Sequence, residues 1–432
     1  MRLSRSKIIG RLLSAVVCSV WLMGLSISAN GQATTLGRTI EVPLDYKAPE
    51  MGRAPLYFEF GASFDPTKPV VFIIADGQQF YVRRGSVAEL QHTLFGDAFN
   101  VVGIVGRGFT PEFIKAALDA SGHPDWVKAW RILNSEQWID DIESVRKNIL
   151  GDKGRILLYG RSGGAYLVHQ YLTKYGAHAQ RAFTMSPVNP IINRELGIEI
   201  ERFWEEIGAY DRSLQPLLRK VLEQHADDRV RILMTLQRQH FFVTADKLAQ
   251  ARAELIRALA KGDTQYYENA RKEYQVDDVL KLNEAPEGIT QNVRVAELIY
   301  PSGAFQRLNT EAINPLIESQ YHFLKPLVTL IEAGKIPAPA FDISPAHRLE
   351  TEVFVLAGRG DEVVDYRTSI ALAYSYPQHQ LFIADDNHVL TKLTEAGLTK
   401  RIVEAFLRYG LGSSELQSAL KAAEPLRWSA GN

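Results

Sequence analysis

The residues with the clearest chemical potential lie at 158–166, "LYGRSGGAY", where Ser162 stands inside a G-x-S-x-G pattern. The pattern alone means little, because glycine is common enough for it to occur by chance. Here the strand-like run "RILLYG" precedes the serine and the helical run "GGAYLVHQYLTKYG" follows it. A serine in a sharp turn between a strand and a helix is typical of a nucleophile elbow. Ser162 is therefore predicted to be a catalytic nucleophile.

A serine hydroxyl is a weak nucleophile, so it needs a base, and the base needs an acid that orients it. In strand–elbow–helix enzymes these follow the serine in the order acid, then histidine. In the stretch "VFVLAGRGDEVVDY", Asp361 is the first acidic residue after the predicted strand, in a loop that begins with two glycines. We predict Asp361 as the orienting acid, and Glu362 and Asp365 in the same loop remain as alternatives.

Two histidines follow the predicted acid, and they lie at opposite ends of one predicted strand. His379 precedes the run "QLFIAD", whereas His388 comes after it. Open α/β sheets place their sites at the carboxyl ends of the strands. His388 is therefore predicted as the base, and His379 as a surface residue.

The negative charge that develops on a substrate oxygen needs hydrogen-bond donors, which form an oxyanion hole. The backbone N–H of Gly163, directly after the serine, is predicted as one donor. The second is predicted to be the backbone N–H of Gln78, in the loop "ADGQQF" after an early strand. Two arginines, Arg161 and Arg107, have two open interpretations, which are binding of a substrate carboxylate or phosphate and pairing with an acid of the core.

Composition and charge exclude several classes of function. The 432 residues are 46% hydrophobic and 23% charged, which is ordinary for a globular protein. No H-E-x-x-H, EF-hand or P-loop pattern occurs, so no metal or other cofactor is expected. The chain carries no block of Lys and Arg, so no nucleic-acid partner is expected either. The expected partner is a small-molecule or short-peptide substrate.

The first 33 residues have the three parts of a secretory signal peptide. Four basic residues are followed by an apolar run from Leu12 to Ile27 and by small residues, and cleavage is predicted after Ala33 or Ala29. The mature chain would have 45 basic and 50 acidic residues, a net charge of about −5, and would lose Cys18, the only cysteine. We expect a periplasmic or secreted protein with no membrane span in the mature chain and no disulfide.

Short apolar runs rich in β-branched residues alternate with helical patterns along much of the chain. Several runs are almost continuously apolar, which indicates strands that are covered on both faces. This alternation predicts a mostly parallel eight-stranded sheet with helices on both faces. The predicted strands are 38–46, 56–62, 69–77, 100–108, 155–160, 181–187, 352–361 and 380–388.

Residues 189–343 break this alternation, since they are charged and helical by period and contain few strand-like runs. They are predicted to form an all-helical insertion, a cap domain, within the α/β domain. The predicted division of the chain is a signal peptide (1–33), the N-terminal part of the core (34–188), the cap (189–343), the C-terminal part of the core (344–412) and a surface tail (413–432).

The core resembles the proline iminopeptidase and tripeptidyl aminopeptidase family of serine α/β-hydrolases. The resemblance lies in "EVPLDY" (41–46), "FNVVGIVGRGFTP" (99–111), residues 140–176, and the surroundings of Asp361 and His388. It implies the α/β-hydrolase fold and cleavage of short peptides at their amino end. Ser162 would be the nucleophile, His388 the base and then the acid, and Asp361 the orienting acid.

Two motifs depart from the family pattern. The usual His-Gly-Gly-Pro-Gly loop is here "ADGQQF", and the usual Asp-x-Arg-Gly is "VGRG". Acidic residues of the cap hold the substrate amino group in proline iminopeptidases; the resemblance gives this role to Glu205 or Glu206, and the alternative is that both lie on a solvated helix face. The expected function is an exported serine hydrolase of aminopeptidase-like specificity. A carboxylic ester hydrolase and a hydrolase-fold binding protein with little turnover remain as alternatives.

Overall fold

The computed structural model describes residues 36–79, 81–200, 203–308 and 314–429. The predicted signal peptide lies outside these residues. None of the helices in the described ranges is both long enough and apolar enough to cross a membrane.

Eight strands form one sheet in the order β1-β2-β4-β3-β5-β6-β7-β8. β1 and β2 are antiparallel to each other, and β2 is antiparallel to β4, whereas the strands from β4 to β8 in this order are parallel. Each predicted strand has a counterpart, so the predicted α/β-hydrolase fold is confirmed. The strands are β1 (Gly37–Pro43), β2 (Arg53–Phe60), β3 (Val70–Ile74), β4 (Asn100–Ile104), β5 (Ile156–Arg161), β6 (Ala179–Met185), β7 (Glu352–Gly358) and β8 (His379–Ala384).

The central strands are apolar throughout because both faces of the sheet are covered. In β3 all five residues are buried. Val71 and Ile73 pack into the hydrophobic cluster on one face, and Phe72 and Ile74 pack into the cluster on the other. Side chains alternate between the faces of a strand, so continuous hydrophobicity is what a doubly covered sheet requires.

Helices cover both faces and fill the segment between β6 and β7. The described part of that segment contains helices and turns but no strand. The α-helices are α1 (Val87–Leu90), α2 (Pro111–Ala116), α3 (Trp126–Leu133), α4 (Ser135–Leu150), α5 (Gly163–Tyr175), α6 (Pro190–Glu195), α7 (Phe203–Tyr210), α8 (Leu214–Gln224), α9 (Arg229–Arg238), α10 (Ala245–Ala260), α11 (Thr264–Glu273), α12 (Val276–Glu284), α13 (Gly288–Ile299), α14 (Pro315–Glu332), α15 (Tyr366–Tyr374), α16 (Thr391–Glu395), α17 (Leu398–Tyr409) and α18 (Ser414–Ala423).

The helical segment has two kinds of packing. Helices α7 to α12 share a hydrophobic cluster of their own, with Ile207, Leu233 and Ile256 among its buried members. Helices α13 and α14 instead belong to the large cluster on one face of the sheet, through residues such as Val293 and Leu324. One part of the insertion is therefore built into the core, and the other part covers the carboxyl edge of the sheet.

The C-terminal residues, predicted from the sequence to be a surface tail, pack onto the core. The apolar face of α18 joins the second sheet cluster through Leu416 and Leu420. Beyond α18 the chain runs beside β8, where the Asp385 N–H donates to Leu426 O at 2.8 Å and the Trp428 N–H donates to Ile383 O at 2.9 Å. This contact covers the exposed edge of β8.

Candidate active site

Ser162 occupies a strained turn between β5 and α5. Its backbone has φ 53° and ψ −125°, a conformation that side-chain-bearing residues rarely adopt. Such a residue costs about 1–3 kcal/mol, and it persists only where the surrounding structure enforces it. Here the Ser162 N–H donates to Met185 O at 2.8 Å, which ties the turn to the end of β6.

The glycines around Ser162 are required by close packing. A Cβ at Gly164 would collide with the carbonyl oxygen of Ile74, and one at Gly160 would lie 2.7 Å from the carbonyl oxygen of Gly164. On the other side, the buried Gln79 side chain donates to Arg161 O at 2.8 Å. The G-x-S-x-G pattern therefore reflects the close contact of α5 with β3 and β5.

Asp361 and His388 come together at the carboxyl ends of β7 and β8. The His388 Nδ1 donates to Asp361 Oδ2 at 2.8 Å, and both side chains are buried. The other carboxylate oxygen, Oδ1, accepts the backbone N–H groups of Val363 at 2.8 Å and Val364 at 2.9 Å. These contacts hold the carboxylate in place, and they leave His388 Nε2 as the nitrogen that can accept a proton.

The two alternative acids have other contacts. Asp365 caps α15 by accepting the Arg367 N–H at 2.8 Å. Glu362 lies 2.5 Å from the Arg252 guanidinium, and burial raises its pKa to about 9. Of the three acids in this loop, Asp361 is thus the one that contacts His388.

The two histidines lie where the sequence places them relative to β8. His379 is the first residue of this strand, and its Nδ1 contacts Tyr376 O at 2.7 Å. His388 follows the strand, and its ring packs against the Phe241 ring in a T-shaped arrangement at a centroid distance of 5.9 Å. The helical segment therefore contributes an aromatic side chain that packs beside His388.

Ser162 and His388 line one cavity of about 150 Å³ between the sheet edge and the helical segment. Within the described residues no hydrogen bond joins the Ser162 hydroxyl to the His388 ring. Such bonds are often long in a site without substrate and tighten when substrate binds. The arrangement can therefore support proton transfer from serine to histidine once a substrate orders the two side chains.

The lining of this cavity is apolar with scattered carboxamides. None of its described residues is an aspartate or a glutamate, and Arg238 is the one permanently charged side chain among them. The Arg238 Nε donates to Tyr274 O. The apolar part consists of Val188, Ile200, Met234, Phe241, Val279, Leu282, Val295, Leu298, Ile299, Leu316 and Val363, and the carboxamides are Gln78, Asn193, Gln237, Gln291 and Gln320.

The predicted oxyanion loop contains a buried acid to which the sequence pattern assigns no role. The side-chain amide of Gln78 donates to Asp76 Oδ2 at 2.9 Å. Burial raises the pKa of Asp76, and the charge of Arg294 and the side-chain and backbone N–H groups of Gln78 lower it by less. Gly77 has φ 81°, and a Cβ there would lie 2.7 Å from the Trp138 ring, so the loop needs glycine at this position.

A buried ionic network supports this loop from α13. The Arg294 Nε donates to Asp76 O at 3.0 Å, and its Nη1 pairs with Glu297. Glu297 accepts the backbone N–H of Ser135 at 3.0 Å and the Ser135 hydroxyl at 2.8 Å. The sequence pattern does not reveal Arg294, because an R-x-x-E pair on a helix is also typical of a solvated surface.

Arg107 and Arg161 have contacts within the protein. Arg107 is fully buried and forms a two-pronged pair with Asp141, with nitrogen–oxygen distances of 2.8 and 2.7 Å. Arg161 lies over the Tyr81 ring at 4.5 Å from its centroid. For Arg107, pairing with an acid of the core is therefore the interpretation that the contacts support.

The two acids of α7 lie away from the cavity lining. Glu206 contacts the Arg252 guanidinium at 3.5 Å, next to Glu362. Glu205 lies at a surface depression beside Trp204. Neither is among the residues that line the cavity with Ser162.

Comparison with known proteins gives a fold-level likeness only. No protein-family model matches the chain, and no curated protein sequence matches it. Similar solved structures include a meta-cleavage product hydrolase from Pseudomonas fluorescens IP01 (15% identity, 85% of this chain and 97% of that one, TM-score 0.41). Others are a bromoperoxidase from Bacillus anthracis (14%, 84% and 97%, 0.41) and an esterase from Thermogutta terrifontis (15%, 83% and 96%, 0.40). At identities of 15% or lower and TM-scores below 0.5, these likenesses assign no activity to the chain.

Proposed function

We propose that the chain is a serine hydrolase that forms an acyl-enzyme on Ser162. The observation that carries this proposal is the 2.8 Å hydrogen bond between His388 and Asp361, in a cavity that the elbow serine also lines. Acyl transfer needs a serine nucleophile, a histidine base and a carboxylate that orients the histidine. The chain has a serine in a strained turn, followed in sequence by a buried aspartate and a histidine, which is the usual order in this fold.

The proposed reaction runs in two halves. His388 Nε2 takes the proton of the Ser162 hydroxyl as the oxygen attacks the substrate carbonyl, and Asp361 stabilises the imidazolium that forms. The backbone N–H of Gly163, at the beginning of α5, donates to the developing oxyanion, and the helix N-terminus favours that negative charge. His388 then protonates the leaving group, and water attacks the acyl-enzyme by the same route.

The cavity favours an ester or another acyl substrate without a free ammonium group. An aminopeptidase-like specificity, which the resemblance of the core suggests, requires acidic side chains near the scissile bond. The described lining residues include none, and Glu206 pairs with Arg252 instead. We therefore propose carboxylic esters as the preferred substrate class, and peptides with a free amino end as the second.

A binding protein with little turnover is the remaining alternative. The carboxyl of Asp76 beside the oxyanion position is the feature that favours it, because a negative charge there would oppose the charge of the transition state. A kcat of about 1 s⁻¹ or more on an acyl substrate, which is in the range of ordinary enzymes, would exclude this alternative.

Labelling with a fluorophosphonate probe, followed by mass spectrometry of the labelled peptide, tests the proposal. We expect label on Ser162 in the wild-type chain and none in Ser162→Ala. Equal labelling of the two proteins would refute it. A panel of short-chain acyl esters and aminoacyl anilides then separates the substrate classes. We expect faster turnover of the esters, and faster turnover of the anilides would favour aminopeptidase activity instead.

We also propose that the protein is exported, on the basis of the tripartite pattern of residues 1–33. N-terminal sequencing of the protein recovered from a bacterial periplasm should begin at residue 34 or residue 30. An N-terminus at Met1 in that fraction, or recovery from the cytoplasm alone, would contradict the proposal.

A further inference from the structure

In α/β-hydrolases the loop after the strand equivalent to β3 normally supplies a backbone N–H to the oxyanion, and here Gln78 of that loop lines the cavity with Ser162. We infer that the second oxyanion donor is the side-chain amide of Gln78, and that Asp76 is the positioning residue that orients it. This inference rests on the proposed function, because an oxyanion forms only if Ser162 attacks a carbonyl group.

The position of the Gln78 amide is the first argument. Gln78 lines the same cavity as Ser162 and His388. Its Nε2 lies 2.6 Å from the point that a Cβ of Gly163 would occupy, so the amide is packed against the residue that supplies the first donor. Two donors that converge from the elbow and from the facing loop are the geometry that an oxyanion hole requires.

The number of N–H groups is the second argument. A primary amide has two, and Gln78 gives one of them to Asp76 Oδ2 at 2.9 Å. Among the hydrogen bonds between described side chains, this is the one that the Gln78 amide makes. The second N–H is therefore available to a substrate oxygen in the cavity.

The backbone N–H of Gln78 is a weaker candidate in this structure. It interacts with the carboxyl of Asp76, whose pKa it lowers, although burial raises that pKa overall. An N–H group that already faces a carboxyl oxygen gives less to an oxyanion than a free one. The side chain thus replaces the donor that the sequence predicts at the same residue.

Asp76 is held firmly enough to orient an amide. Its side chain is completely buried, and its carbonyl oxygen accepts from Arg294 Nε at 3.0 Å. A Cβ on Gly163 would collide with Asp76 Oδ2, so only glycine at 163 leaves room for the pair of Asp76 and Gln78. Burial raises the pKa of the Asp76 carboxyl, and the nearby positive charge of Arg294 opposes this effect only in part.

The test compares variants that remove the donor with variants that remove only its support. Gln78→Met keeps the length of the side chain and has no N–H, and Gln78→Glu is a second variant of the same length in case the first folds poorly. Asp76→Asn keeps an oxygen that can accept from Gln78, whereas Asp76→Leu does not. Gln250→Met, on the exposed face of α10, is the matched surface control.

We expect both Gln78 variants to lower kcat on an activated acyl ester by about 10²–10³-fold, with KM changed by less than about threefold. Binding of an alkylboronic acid, which forms a tetrahedral anion on the serine, should weaken by a similar factor. Asp76→Asn should stay within about tenfold of wild type in kcat, Asp76→Leu should fall to the level of the Gln78 variants, and Gln250→Met should match wild type.

Three results would overturn the inference. If folded Gln78→Met and Gln78→Glu keep kcat within about threefold of wild type, the donor lies elsewhere while the proposed function stands. If Asp76→Asn and Asp76→Leu lose activity equally, Asp76 does not act through its hydrogen bond to Gln78. If the wild-type chain itself is neither labelled at Ser162 nor active on any acyl substrate, the proposed function fails, and the inference fails with it.

Discussion

Replacing Asp361 by asparagine tests the proposed triad most directly, because the structure dictates how the new amide must be oriented. In the wild-type chain Asp361 Oδ1 accepts two backbone N–H groups, from Val363 and Val364, and Oδ2 accepts from His388 Nδ1. In the variant the amide oxygen must stay on the two backbone donors. The amide nitrogen then faces His388 and forces the ring proton onto Nε2, so the ring can no longer accept the proton of Ser162.

The residual activity follows from the cost of the opposite orientation. Turning the amide around restores the active tautomer of His388 but leaves two backbone donors without an acceptor, the partly buried N–H of Val363 and the buried N–H of Val364. Each costs about 1–3 kcal/mol, so the active orientation lies about 2–6 kcal/mol higher. We therefore expect Asp361→Asn to lower kcat by between about 30-fold and about 3 × 10⁴-fold, with a central value of about 10³.

The assay is kcat on an activated acyl ester, together with the second-order rate of fluorophosphonate labelling. Asp365→Asn is the matched control, since asparagine is as good a helix cap as aspartate and kcat should stay within about twofold. The reasoning is refuted if folded Asp361→Asn is labelled at the wild-type rate. It is also refuted if Asp365→Asn loses as much activity as Asp361→Asn.

Three further predictions concern stability. Arg107→Met should lower the free energy of unfolding in urea by about 3–5 kcal/mol, because it leaves Asp141 buried without its partner; a loss below about 1 kcal/mol would contradict this. Burial raises the pKa of Glu362 to about 9, above the value of 4.5 expected in the unfolded chain, so its contribution to stability is fully present below pH 4.5 and is lost as the pH rises through 9. Glu362→Gln, whose amide can still donate to Glu206, should therefore have a higher melting temperature than wild type at pH 9 but not at pH 5. The same difference in melting temperature at both pH values would contradict this prediction. Finally, Ser162→Gly should be about 1 kcal/mol more stable than Ser162→Ala in thermal unfolding, because glycine adopts φ 53° without strain. Equal stability of the two variants would mean that the backbone at residue 162 is not strained.

Much of the sheet could be predicted because its strands are encoded locally. Within the predicted strands 69–77 and 352–361, residues 70–75 and 353–357 are apolar at every position, as a strand covered on both faces requires. The elbow could also be predicted, since the turn at Ser162 is built from neighbours in sequence and its glycines are demanded by the contact of one strand with the next helix.

The sequence predicts that residues 189–343 are helical, but it does not predict how these helices pack against the sheet. Periodicity distinguishes a buried from an exposed helix face, yet it does not say which partner covers the buried face. Helix α13 enters the core of the sheet, and α10 brings Arg252 to Glu362. These contacts join residues more than a hundred positions apart, and no local pattern specifies them.

The sequence by itself determined the α/β order, the predicted serine turn and the positions of Asp361 and His388 relative to their strands, because these depend on local periodicity and on the fixed direction of parallel strands. Only the tertiary structure decided which acid contacts His388, where Arg107 finds its partner, and that Asp76 and Gln78 together face Gly163. Those outcomes depend on distances across the fold and on burial, which change the pKa and the hydrogen-bond partners of a side chain without changing the residues beside it in the chain.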